Sequence, residues 1–319
     1  MGGGGSHGDG ASTLTAAATG SGGSGTTGGS GAGGSGTDGS GAGTGGSGGA
    51  GGFSGAGGVG GGGTAPDAGS GNDSCTLVWS PAADRDGKNA FEGLEMPDMW
   101  GAHPGAVHFS TVAEHNAFRI DQHYMPPTIF DYDDHNTTDR MRCEVKGMKT
   151  PSGNLQLLQG QRWRLAWSLY IPSTLKSPTR FCHIMQIKVV DTNDGSSGAP
   201  VVTISLPRDG STEKIQLQVP AASGDGNFPA VDLAPLHDKW LSTQVDIKIG
   251  AGTSGSVRWV LSDGTRLLVD FTRAGIETWP TSSARLRPKW GIYRSLEDTS
   301  GALQTTYLLL SDLKAYTCL

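Results

Sequence analysis

Between residues 161 and 172 the chain reads QRWRLAWSLYIP, with Trp163, Leu165, Trp167, Leu169 and Ile171 alternating against Arg162, Arg164, Ala166, Ser168 and Tyr170. Successive side chains of a strand point to opposite faces, so this period of two predicts a strand with one buried face. Similar runs follow at 181–191, 199–207, 214–220 and 242–250, with turn residues between them. The stretch SVRWVLSDGTRLLVDF (256–271) carries Asp263-Gly264 at its middle, a hairpin signal because glycine accepts positive φ. AVHFS (106–110), FRIDQH (118–123) and QTTYLLLSDLKAYT (304–317) add strands, and helical periodicity is scarce. Many strands without alternating helices predict an all-β fold, an antiparallel two-sheet β-sandwich of jelly-roll type.

Composition divides the chain sharply. Residues 1–73 hold 34 of the 53 glycines and no Lys or Arg. Such a segment has too little apolar surface to offset its backbone entropy, so it reads as a disordered Gly/Ser-rich linker ahead of one domain at 74–319. Removing the linker acids Asp9, Asp38, Asp67 and Asp73 leaves 26 of the 30 acidic residues against 24 basic ones, a net of −2. That balance argues against nucleic acid as a partner, and there is no apolar run long enough to span a membrane. The start MGGGGSHGDG shows no basic, apolar or cleavage region. A long spacer before a globular domain nevertheless favours an exported monomer over a cytosolic protein with a disordered tail. Cys75 and Cys318 fall at the two ends of the domain, where a disulfide would staple the terminal strands. Cys143 and Cys182 fall on opposite faces by parity and read as small buried hydrophobes.

Three strands carry unusual polar faces. In RMRCEVKG, Arg140, Arg142, Glu144 and Lys146 alternate with Met141, Cys143 and Val145; in FCHIMQIK, Gln186 and Lys188 share a face. In RPKWGIYRS, Arg287, Lys289, Gly291 and Tyr293 alternate with Pro288, Trp290 and Ile292. Should these strands be neighbours, the groups would converge on a groove able to hold an anionic sugar. The bland alternative is a cross-strand charge ladder on a solvated face.

The blocks R-x-E-x-K, Q-I-K and K-x-G-x-Y, in that order, resemble the motif set of the jelly-roll, concanavalin-like polysaccharide lyases. These are the alginate lyases with R-[ST]-E-L-R, Q-I-H and Y-x-K-x-G-x-Y, and the related glucuronan and heparin lyase-like proteins. The resemblance spans about residues 75–319 and implies cleavage of an acidic, uronate-containing polysaccharide by β-elimination. It places Arg142 and Gln186 on the substrate carboxylate and Tyr293 at proton transfer, with Lys289, Glu144, Lys146, Arg287 and His123 as substrate-binding candidates. Such a lyase must neutralise the carboxylate, remove the C5 proton and protonate the departing C4 oxygen. Cations such as Lys289 and Arg287 would favour a tyrosinate, and Glu144 reads as an orienter of Arg142. One departure stands out: Lys188 replaces the catalytic histidine of Q-I-H. A lysine serves as base if burial and adjacent cations depress its pKa. Otherwise Tyr293 plays both parts, or His123 or His135 does; His183 has the wrong parity relative to Gln186.

No cofactor is required by this chemistry, although Asp131, Asp133 and Asp134 could hold calcium through oxygen ligands. Signatures for zinc, nucleotide and serine-hydrolase chemistry are absent. Trp100, Trp240 and Trp279 could flank the groove as sugar platforms, against the usual core role of tryptophan. A noncatalytic carbohydrate-binding module is the competing class, and a glycoside hydrolase, which needs two positioned carboxylates, ranks last.

Overall fold

The computed structural model describes residues 74–99, 101, 103–129, 131–132, 138–191, 197–220, 228–281 and 283–319. The linker expectation for 1–73 lies outside the described residues. The strands are β1 (Cys75–Trp79), β2 (Gly93–Glu95), β3 (Phe109–Val112), β4 (Ala117–Gln122), β5 (Arg140–Lys146), β6 (Lys149–Thr150), β7 (Gly153–Asn154), β8 (Arg162–Tyr170) and β9 (Cys182–Asp191). They continue as β10 (Ser197–Ser205), β11 (Arg208–Asp209), β12 (Thr212–Gln218), β13 (Val231–Asp232), β14 (Trp240–Lys248), β15 (Gly255–Ser262), β16 (Leu267–Ile276), β17 (Ser283–Ser295) and β18 (Thr306–Cys318). The one α-helix among the described residues is a single turn, Ala83–Asp86.

Two antiparallel sheets form the sandwich. The first runs β16-β15-β14-β8-β18-β4-β3, with β1 paired to β18; the second runs β11-β12-β10-β9-β17-β5-β2, with β13 on β12. The alternation in β8 does what its sequence dictates: Trp163, Leu165, Trp167 and Leu169 are buried while Arg164, Ala166, Ser168 and Tyr170 are not fully so. Burying each such side chain contributes about 1.5–3 kcal/mol. Trp290 of β17 closes the core from the other sheet, stacked on Trp79 at 5.9 Å and edge-on to Trp167 at 6.1 Å. The predicted hairpin is β15–β16, with Gly264 at φ 85° and the Asp263 carboxylate accepting the Arg266 N–H at 2.9 Å. Cys75 and Cys318 pair across β1 and β18 and are disulfide-bonded, as the sequence suggested.

One irregularity in β9 overturns the parity argument. Along β17 the partners shift between Met185 and His183, and along β10 they shift over the same residues. Ile184 and Met185 therefore both enter the core, as an extra residue in a strand permits. Beyond that point every side chain changes face. His183 joins Gln186 on the polar face, and Cys182 joins Cys143 in the core, where both thiols are free.

Candidate active site

Strand β17 lies between β5 and β9, and the register fixes which side chains meet. It sets Tyr293 beside Arg142 and His183, Gly291 beside Glu144, Lys289 beside Lys146 and Gln186, and Arg287 beside Lys188. Directly paired residues share a face, so the three polar strand faces form one floor, while Cys143, Val145, Trp290 and Ile292 fill the core beneath. The glycine of K-x-G-x-Y is a steric necessity: at φ +145°, a Cβ on Gly291 would stand 2.2 Å from the Cys143 carbonyl oxygen.

Burial separates this floor from an ordinary charge ladder. The outer face of the first sheet carries such a ladder, Arg164–Asp246–Arg258–Asp270, with side chains 17–35% exposed. On the groove floor Lys289 and Glu144 are 0% exposed. Most charges there are held by hydrogen-bonded partners, as buried charges commonly are, and Lys188 is the exception among the described residues. Glu95 of β2 takes Lys289 Nζ and Arg142 Nη1, each at 2.5 Å, and Lys146 Nζ at 3.1 Å. Burial opposes ionisation of Glu95, but Lys289, Arg142 and Lys146 hold its carboxyl well below the usual carboxylate range. Glu92 accepts Arg285 at 2.7 Å and Arg287 at 2.8 Å. Glu144 accepts Gln186 Nε2 at 2.6 Å and lies 3.7 Å from Arg142 Nε, which suits it to orienting both.

Tyr293 sits at the rim of this network. Its hydroxyl accepts Arg140 Nη1 at 3.1 Å, and the Arg142 guanidinium lies 4.0 Å from the ring centroid. The cations on Tyr293 are thus Arg140 and Arg142, whereas the sequence had assigned Lys289 and Arg287, which turn to Glu95 and Glu92. The Lys188 side chain has no hydrogen bond or ion pair among the described residues; burial, then the charges of Lys289 and Arg142, push its pKa down to about 8. His183 is pushed down to about 4 by burial and by Lys188 and Arg142, so it is neutral near pH 7. Its Nδ1 lies 2.8 Å from Ser205 Oγ, and its ring centre lies 6.0 Å from that of Tyr293. Parity had dismissed His183; only the irregular register of β9, invisible to a period of two, brings it in.

Other expectations fall elsewhere. His123 does not join the groove: it packs against His103, His108 and Asp131, beside Cys143 on the core face of β5. It follows the last residue of β4, whose Gln122 is tied to the Ile292 carbonyl. Trp240 lies on β14 of the other sheet against Tyr170, and Trp279 packs against the core, so neither is a groove platform. Trp100, Asp133, Asp134 and His135 lie outside the described residues.

No protein-family model and no curated protein matches the chain. Solved structures do. An endo-β-1,4-glucuronan lyase from the fungus Trichoderma reesei superimposes at a TM-score of 0.51 with 12% identity, covering 75% of this chain and 95% of that one. A marine alginate lyase from Aplysia kurodai gives 0.49 with 14% identity over 75% and 98%, and an alginate lyase from Pseudomonas aeruginosa 0.43 with 18% identity over 70% and 96%. At that identity the likeness to the glucuronan lyase shows the fold alone, a two-sheet jelly-roll sandwich.

Proposed function

We propose that the domain is a polysaccharide lyase that cleaves a uronate-containing polymer by β-elimination. The observation that supports this reading is the meeting of Arg142, Gln186 and Tyr293 on one buried polar floor with Lys188, whose proton is loosely held. Arg142 and Gln186 bind the uronate carboxylate and stabilise the charge that develops on it. The neutral amine of Lys188 takes the C5 proton; the C4–C5 double bond forms as the C4–O bond breaks. Tyr293 gives its proton to the departing oxygen and recovers one from solvent, as Lys188 returns one. No water is consumed. The disulfide fits an oxidising compartment and hence export, and no helix among the described residues is long and apolar enough to cross a membrane.

The test is ultraviolet absorbance of the unsaturated product on a panel of polyuronates: glucuronan, alginate, pectate and heparin-type chains. Tyr293→Phe should abolish turnover and leave polymer binding intact. A noncatalytic binding module has one observation in its favour, since Glu95 already fills the cation clasp of Arg142, Lys146 and Lys289. Binding of a panel member by the parent without any double-bond formation would establish that class instead.

A further inference from the structure

Four side chains from separate stretches meet at the end of β4. His103 and His108 precede β3, His123 follows β4, and Asp131 runs beside β5, where its carbonyl accepts the Arg142 N–H at 3.2 Å. Their nitrogen and carboxylate donor atoms all lie within 4.8 Å of one another. His108 and Asp131 are fully buried, and His103 and His123 are partly exposed. The rings pack edge to face, with centroids 4.9–5.2 Å apart and planes 60–89° apart, so they surround a point instead of stacking.

Protons alone satisfy this cluster poorly. His108 Nδ1 lies 2.7 Å from Asp98 Oδ1 and Nε2 lies 2.9 Å from Asp131 Oδ1. A neutral imidazole has one N–H, so His108 satisfies both carboxylates only when doubly protonated or when a cation takes the place of one proton. His103 Nδ1 converges on the same Asp131 Oδ1 at 2.7 Å. His123 Nδ1 is 3.3 Å from Asp131 Oδ2, but it is buried and out of hydrogen-bonding alignment with any partner. A cation among these lone pairs resolves each conflict at once.

We propose that His103, His108, His123 and Asp131 bind a divalent transition-metal ion of zinc type through three imidazole nitrogens and one carboxylate. Nitrogen-rich donor sets suit zinc, whereas calcium takes oxygen ligands. Tetrahedral donors about 2.0 Å from zinc stand roughly 3.3 Å apart. The contacts to Asp131, 2.7 to 3.3 Å, need open by at most about 0.6 Å, and donor pairs as far apart as 4.8 Å must close by about 1.5 Å, within reach of side-chain rotation. Asp98 behind His108 is the outer carboxylate that fixes the imidazole tautomer and strengthens the ligand. Four protein ligands close the site, so the ion is structural: it ties the stretch before β3 and the end of β4 to Asp131, the backbone neighbour of Arg142.

The full chain, stripped with chelator and re-equilibrated with zinc, should hold about one zinc per chain by elemental analysis. Cobalt(II) should give the visible bands of a tetrahedral site, and zinc should raise the unfolding temperature. His123→Ala should cut affinity at least tenfold. Should that variant fail to fold, Asp98→Asn keeps all four ligands and should weaken binding roughly 10- to 100-fold. A stripped chain that takes up no stoichiometric zinc, shows no cobalt bands and unfolds at one temperature with zinc or chelator overturns the proposal. None of these readouts uses lyase activity, so the metal site and the lyase reading fail separately.

Discussion

Lys188 makes the proposed mechanism quantitative. A free lysine titrates near 10.4, which leaves only about 0.04% of it neutral at pH 7. With its pKa at about 8, roughly a tenth of Lys188 is neutral there, a gain of more than a hundredfold in usable base. The fraction rises about tenfold between pH 7 and 9, and kcat/KM should rise with it, because that parameter reports groups in the free enzyme. The shift also has a cost in stability. Between about pH 8 and 10.4 the unfolded chain binds a proton that the fold does not, so stability climbs with pH across that window. Below it the fold carries the whole penalty, about 3 kcal/mol at 1.36 kcal/mol per pH unit. Lys188→Met should therefore lower turnover by 10²-fold or more and stabilise the protein by about 2–3 kcal/mol at pH 7 in urea unfolding. A kcat/KM profile with its acid limb near 4 would transfer the base role to His183. Undiminished turnover in Lys188→Met would refute the reasoning outright.

Two further substitutions probe the floor. Glu95→Gln removes a charge shared by Arg142, Lys146 and Lys289, and should cost about 3 kcal/mol in denaturant unfolding because buried cations lose their partner. It should also move the acid limb of kcat/KM to lower pH, since the Glu95 charge helps Lys188 keep its proton; an unmoved limb counts against that coupling. Gly291→Ala drives a Cβ into the Cys143 carbonyl, and should cost about 3 kcal/mol or more. Gly301→Ala, at φ +73° with open space around it, should cost about 1 kcal/mol in the same assay.

The legible features were those carried by regular alternation. Period two in β8 predicts which residues are buried; in β5 and β17, buried on both faces, it predicts which residues share a face, and Arg142, Lys289 and Tyr293 meet because those two strands pair in regular register. What escaped reading depends on contacts remote in sequence. Glu92 and Glu95 sit in a stretch without strong alternation, yet they neutralise cations some 50 and 190 residues away. Period two puts His183 and Cys182 on the wrong faces because the register of β9 is irregular between Met185 and His183, and no local signal marks it. His103, His108, His123 and Asp131 have no metal-motif spacing; only the return of β4 and the segment beside β5 assembles them. Sequence blocks can name chemistry, but register decides which groups reach it.

The same cations serve two successive needs, and this yields a last prediction. Burial, then Lys289 and Arg142, depress the Lys188 pKa in the free protein, and in the proposed mechanism Arg142 also grips the substrate carboxylate. Once a uronate lies on Arg142, its negative charge offsets the field that repelled a proton from Lys188. A usable fraction of the base is thus neutral before substrate arrives, and it becomes a better proton acceptor as the carboxylate settles beside it. Proton transfer then places the ammonium of Lys188 next to an anion, where opposite charge favours it. The acid limb of kcat, which reports the bound complex, should lie at higher pH than that of kcat/KM. Coincident limbs would mean that the bound carboxylate and Lys188 do not sense one another, and Lys188 would then be too remote from C5 to act as base.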